Sequence, residues 1–103
     1  MTVAHFCVTL VADRHIEQEL LDYLSEQTDL LAGFTASDAT GHGPTARLHS
    51  AAEQVKGRAD RLLVHVILEE IAARRLVDRL GKAFAGAHLV YWAAPVSLFG
   101  VVE

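Results

Sequence analysis

Val3 to Ala12 reads VAHFCVTLVA, a run of β-branched and apolar residues, and Asp13 to Gln27 behind it reads DRHIEQELLDYLSEQ. In the first segment Ala4, Phe6, Val8 and Leu10 share one face of an extended chain, with Val3, His5, Cys7, Thr9 and Val11 on the other. Successive strand side chains point to opposite sides, so two mainly apolar faces predict a central strand. In the second segment Asp13 suits a helix N-cap, and Ile16, Leu20, Leu21 and Leu24 recur at helical spacing with acids opposite. That pattern predicts a helix running to about Gln27.

Downstream, Arg61 to Leu68 reads RLLVHVIL, with Leu62, Val64, Val66 and Leu68 on one face and Leu63, His65 and Ile67 on the other. It is the second strong strand. Glu69 and Glu70 suit the start of a following helix, Arg79 and Lys82 suit its end, and Ile71, Ala72, Leu76 and Leu80 form its apolar stripe. Gly81 or Gly86 is expected to stop it. Between the two strand and helix pairs, Thr28 to Gly33 is a connection and Phe34 to Asp38 a short, weakly alternating strand. Gly41-His42-Gly43-Pro44 then halts any regular element. Residues 44–60 are polar, small and basic, with at most one helical turn around Ser50 to Val55, so residues 41–60 read as a long flexible loop of the kind that carries function. Ala87 to Ala94 is the last strand, closed by Pro95. The tail Val96 to Val102 is still apolar and needs a surface to bury it.

This order predicts an α+β, ferredoxin-like βαββαβ fold, a four-stranded antiparallel sheet with two helices on one face. If the helices cover the even-numbered side, Val3, Cys7, Val11, Leu63 and Ile67 remain on a bare face, which implies that subunits meet there. The 103 residues bound one domain, 1–103, and with 51% hydrophobic residues so small a unit is expected to be a homo-oligomer. The single cysteine, Cys7, makes no internal disulfide, no apolar run approaches the roughly 18 residues of a membrane span, and the start lacks a charged leader region. The expectation is a cytoplasmic protein without membrane insertion. Net charge is −4, and the distribution is uneven. Asp13 to Asp29 carries six acids against Arg14, whereas Gly41 to Arg61 carries Arg47, Lys56, Arg58 and Arg61 against Glu53 and Asp60. No dense basic stripe exists to neutralise phosphates, so nucleic acid is excluded as a partner.

The stretch Gly33 to Gly43, GFTASDATGHG, resembles the second strand and T-loop entry of the PII-like signalling proteins, where Gly-aromatic-Thr is followed by Gly-x-Gly. The similarity is to a small branch often found with heavy-metal efflux systems, and Glu53 to Arg58 and Tyr91 to Val96 are similar to that branch as well. The resemblance implies a homotrimer with sheets facing its centre, effector sites in clefts between subunits, and a T-loop, here 41–60, that reports ligand state to a partner such as a membrane transporter or efflux protein. Gly41 and Gly43 allow positive φ and close approach of backbone N–H groups to an anion. With Thr35, His42, Arg47 and Arg58 they make up the expected ligand site. The chain departs from nucleotide-binding members in two places. Its connection Gly81-Lys82-Ala83-Phe84-Ala85-Gly86-Ala87 is not the Gly-rich phosphate loop, and Val96 to Glu103 has no Arg or Lys. Tight ATP binding of the usual sort is therefore not expected, and the effector class stays open among a nucleotide, a small anion and a divalent metal.

Six histidines offer metal ligands. His42 and His49, both in the loop, are the candidate metal pair, and a metal-binding protein of a heavy-metal resistance system is the alternative function. His5, Cys7 and His65 are expected on the bare sheet side, where they could converge as an N and S site. His15 and His88 read as surface or packing residues. No nucleophile with a base and no paired carboxylates assemble, so an enzyme is not expected. The remaining catalytic alternative is a small ferredoxin-like enzyme with a cavity beside His5 or His65.

Overall fold

The computed structural model describes residues 3–43 and 48–103. In chain order its elements are β1 (His5–Asp13), a single 3-10 turn (Arg14–Ile16), α1 (Glu17–Glu26), β2 (Thr35–Gly41), α2 (Ala51–Lys56), β3 (Ala59–Glu69), α3 (Glu70–Ala83) and β4 (Val90–Val96). The two strongest alternating runs, β1 and β3, pair antiparallel at the centre with Val8 opposite Val66 and Leu10 opposite Val64. β2 adds outside β3 and β4 outside β1, giving the antiparallel order β2-β3-β1-β4 of the ferredoxin-like fold.

The even-numbered face is the core. Val8, Leu10, Ala12, Leu62, Val64, Val66 and Leu68 are buried there against Leu20 and Leu24 of α1 and Ala73, Leu76 and Leu80 of α3. Burial of these side chains is the main force holding both helices to one side of the sheet. On the opposite face Cys7, Val11, Leu63 and Ile67 stay half-buried and Trp92 half-exposed, as no described element of the chain covers them. No helix of the described residues is long and apolar enough to cross a membrane.

Three boundaries differ from the sequence reading, each for a tertiary reason, and the α3 stop falls to Gly86, one of the two glycines expected. β2 starts at Thr35 and runs on to Gly41, because Ala39, Thr40 and Gly41 pair with Arg61, Asp60 and Ala59. The connection from β2 to β3 is accordingly a little shorter than 41–60 and carries a helix where at most one helical turn is expected. α2 occupies 51–56 and β3 already begins at Ala59, while residues 44–47 lie outside the described part. α3 passes through Gly81 to Ala83, with positive φ only later at Gly86. β4 spans Val90–Val96 and includes Pro95, which its place at the edge of the sheet tolerates. The tail beyond β4 has no regular structure. Its Phe99 ring lies 5.3 Å from the His5 ring, whereas Leu98, Val101 and Val102 are exposed.

Candidate functional site

Where β1 ends and β3 begins, the register sets Asp13 opposite Arg61. Asp13 does not cap the following turn with its side chain. Its carboxylate instead accepts from the Arg61 guanidinium through Oδ1 at 2.8 Å, with Asp13 and Arg61 side chains 4% and 10% exposed. Its other oxygen, Oδ2, lies 2.8 Å from His49 Nε2. The His15 ring, from the turn that follows Asp13, sits 4.3 Å from the His49 ring. A buried carboxylate is thus met by one guanidinium and approached by two adjacent imidazoles from separate stretches of the chain.

His49 is fixed by α2. Ser50 and Glu53 form a reciprocal capping box at its N-terminus, and Gly57 closes its C-terminus in the left-handed conformation at φ 72°. Glu53 is buried and accepts backbone N–H groups of His49, Ser50 and Asp60. These donors, Asp60 foremost, hold its carboxyl below the usual range. One side chain therefore ties the segment before α2 to the start of β3, directly beside Asp13.

A cleft of about 530 Å³ opens at this end of the sheet, lined by Arg14, Asp38, Ala39, Thr40, Asp60 and Arg61. Arg14 donates to Asp38 Oδ1 at 2.7 Å, so each guanidinium at the cleft already has a carboxylate. A smaller cavity of about 120 Å³ adjoins it, lined by Arg14, His15, His49, Ser50, Glu53 and Asp60. A Cβ at Gly41, next along β2 from the cleft's Thr40, would stand 3.1–3.3 Å from three atoms of the Arg61 guanidinium. Gly41→Val is expected to push Arg61 off Asp13 and cost about 1–3 kcal/mol, the usual penalty of overpacking. A denaturation midpoint unchanged from wild type would show that Arg61 moves away freely.

The family model for DUF3240, a protein of unknown function, matches residues 2–103. The chain belongs to DUF3240. A crystal structure of a DUF3240 family protein from Shewanella baltica is 17% identical to it, covers 100% of both chains and superposes with a TM-score of 0.77. The DUF3240 chain is also similar to a PII-like signaling protein of Thermus thermophilus, at 22% identity, 91% and 88% coverage and a TM-score of 0.64. The GlnK–ATP complex of B. subtilis matches at 14% identity, 94% and 85% coverage and a TM-score of 0.66. At such identities the likeness is one of fold, and the fold is that of the PII-like proteins. No curated protein matches the sequence.

The expected ligand residues of the DUF3240 chain are not all in one place. Gly41 follows the cleft-lining Thr40 and faces the Arg61 guanidinium, and Gly43 comes two residues later with φ 109°. His42 is exposed and its Nε2 lies 2.9 Å from the Thr40 hydroxyl, apart from His49. Arg58 is exposed in the turn between α2 and β3, and Arg47 is outside the described residues. Thr35 is at the far end of β2, six residues from Gly41 and about 20 Å away at the usual strand rise. Among the described residues, the group of three or more potential metal donors that comes together is Asp13, His15 and His49. By sequence alone Asp13 reads as a helix cap and His15 as a surface or packing residue, so neither is a candidate ligand there. The N and S cluster forms in part. His65 Nδ1 is 3.1 Å from the Thr9 hydroxyl and 3.9 Å from Cys7 Sγ, while His5 packs on Phe99.

Proposed function

We propose that this DUF3240 chain is a PII-like regulatory protein that performs no catalysis of its own. In this reading it acts in the cytoplasm as a homotrimer, with its uncovered sheet faces together, and binds a small effector in clefts shared between subunits. The loop that leaves Gly41 and returns at Ala59 then reports occupancy to a protein partner, a membrane transporter or efflux protein in the resemblance the sequence carries. The observation that supports this best is position: the Arg14 and Arg61 cleft lies at the root of that loop. A ligand there contacts the loop's two anchors and so biases its conformations through differential binding. Two guanidiniums already paired, Arg14 with Asp38 and Arg61 with Asp13, suit a compact ligand with one anionic group and hydroxyl or amino donors, rather than a triphosphate.

Native mass spectrometry with ATP, ADP, AMP and inorganic phosphate tests the reading. A trimer retaining a mononucleotide or phosphate, with no gain from extra phosphates, is the expected result. Gly43→Val is expected to abolish retention and leave the trimer mass unchanged, because at φ 109° only glycine sits without strain. Equal retention by the variant removes Gly43 from the site. A chain that is monomeric and retains none of the four overturns the proposal.

A further inference from the structure

We propose that Asp13, His15 and His49 form a binding site for one borderline divalent cation of the Zn²⁺, Co²⁺ or Ni²⁺ kind. The inference stands on side chains of this chain alone and does not depend on the regulatory reading. Two imidazole nitrogens and one carboxylate oxygen lie within 4.8 Å of one another, although the residues come from two separate stretches of the sequence. Tetrahedral bonds of about 2.0–2.1 Å would set ligand atoms about 3.3 Å apart, so the 2.8 Å Asp13–His49 contact needs to open by only about half an ångström.

The donor set selects the ion. Imidazole nitrogens favour zinc, cobalt and nickel, whereas calcium and magnesium take oxygen ligands throughout. Asp13 is engaged through Oδ1 by Arg61, which orients the carboxylate and leaves Oδ2 directed at His49. Glu53 supports His49 from behind by accepting its backbone N–H. Both contacts are the outer support that metal ligands require if they are to hold their direction. Binding exchanges the Asp13–His49 hydrogen bond for two bonds to the ion, and the imidazole proton of neutral His49 resides on Nδ1 in the bound state. Three protein ligands leave a fourth position, and the cavity of about 120 Å³ lined by His15 and His49 admits a water or a small anion there. Since His49 immediately precedes α2, the ion would fasten the returning limb of the loop to the end of β1.

Isothermal titration of the untagged full-length protein with ZnCl₂ is expected to give one Zn²⁺ per chain. His15→Ala and His49→Ala are each expected to weaken binding by more than roughly 100-fold, beyond what loss of an outer support costs. Both replace exposed imidazoles, so the fold survives, and circular dichroism verifies that. His42→Ala, His65→Ala and Cys7→Ser are expected to leave affinity unchanged. Absence of zinc binding by the wild type, equal affinity in the His15 and His49 variants, or loss in the His42, His65 or Cys7 variants would each overturn the site.

Discussion

Asp13→Ala is expected to destabilise the fold by about 3–5 kcal/mol, the cost of leaving one member of a buried ion pair without its partner. Arg61 is only 10% exposed at its side chain, so its guanidinium cannot recover full hydration when the Asp13 carboxylate is removed. The lost partner also served His49, which frees the segment ahead of α2. Small domains have total stabilities of about 5–15 kcal/mol, so this one substitution removes a large fraction of the margin. Urea denaturation reads the loss directly. A double variant with Arg61→Ala is expected to be less destabilised than the sum of the two single variants, because neither then strands a buried charge. Strict additivity, or a midpoint for Asp13→Ala equal to that of the wild type, would mean that solvent screens this pair as it does a surface one.

The fold was legible wherever a physical pattern is local. Alternation in β1 and β3 placed Val8, Leu10, Val64 and Val66 on the covered face, and the core has them there. Boundaries failed where a partner strand decides. Ala39, Thr40 and Gly41 have no apolar alternation of their own and become strand because β3 offers them pairing. Pro95 ends a strand by propensity, yet β4 is an edge and tolerates it. Gly81 weakens a helix by about 1 kcal/mol, which the packing of Leu76 and Leu80 overrides.

The site was much less legible, because register and a distant tether build it. Asp13 and His49 are 36 residues apart, and nothing in either neighbourhood signals the other. Asp13 has the residue type and position of a helix cap, and its pairing with Arg61 follows only from the β1 and β3 register. One local signal was present. Ser50-Ala51-Ala52-Glu53 is a capping-box pattern, which marks the start of α2. His42 and His49 look equivalent as loop histidines, and they separate because Glu53 anchors the second while Thr40 engages the first.

Leu63→Glu is expected to convert the proposed trimer into monomers while leaving the single chain folded. Leu63 lies opposite Val11 on the uncovered face, and Val11 in turn lies opposite Val90, which is 54% exposed. In the neighbouring cross-strand row, Thr35, His65, Thr9 and Trp92 align from one edge of the sheet to the other. The surface is therefore an apolar band beside a polar one, which can mate with copies of itself more readily than remain in water. A glutamate at position 63 would bury three carboxylates near one axis, and several kcal/mol of desolvation per charge exceeds what the lost leucine contact contributes. The core is spared, because Leu63 points away from Leu62 and Val64, whose side chains pack under the helices. Sedimentation velocity separates the outcomes: a wild-type trimer and a variant monomer with native circular dichroism support the assembly. A wild-type monomer, or a variant that still sediments as a trimer, shows that these faces do not meet.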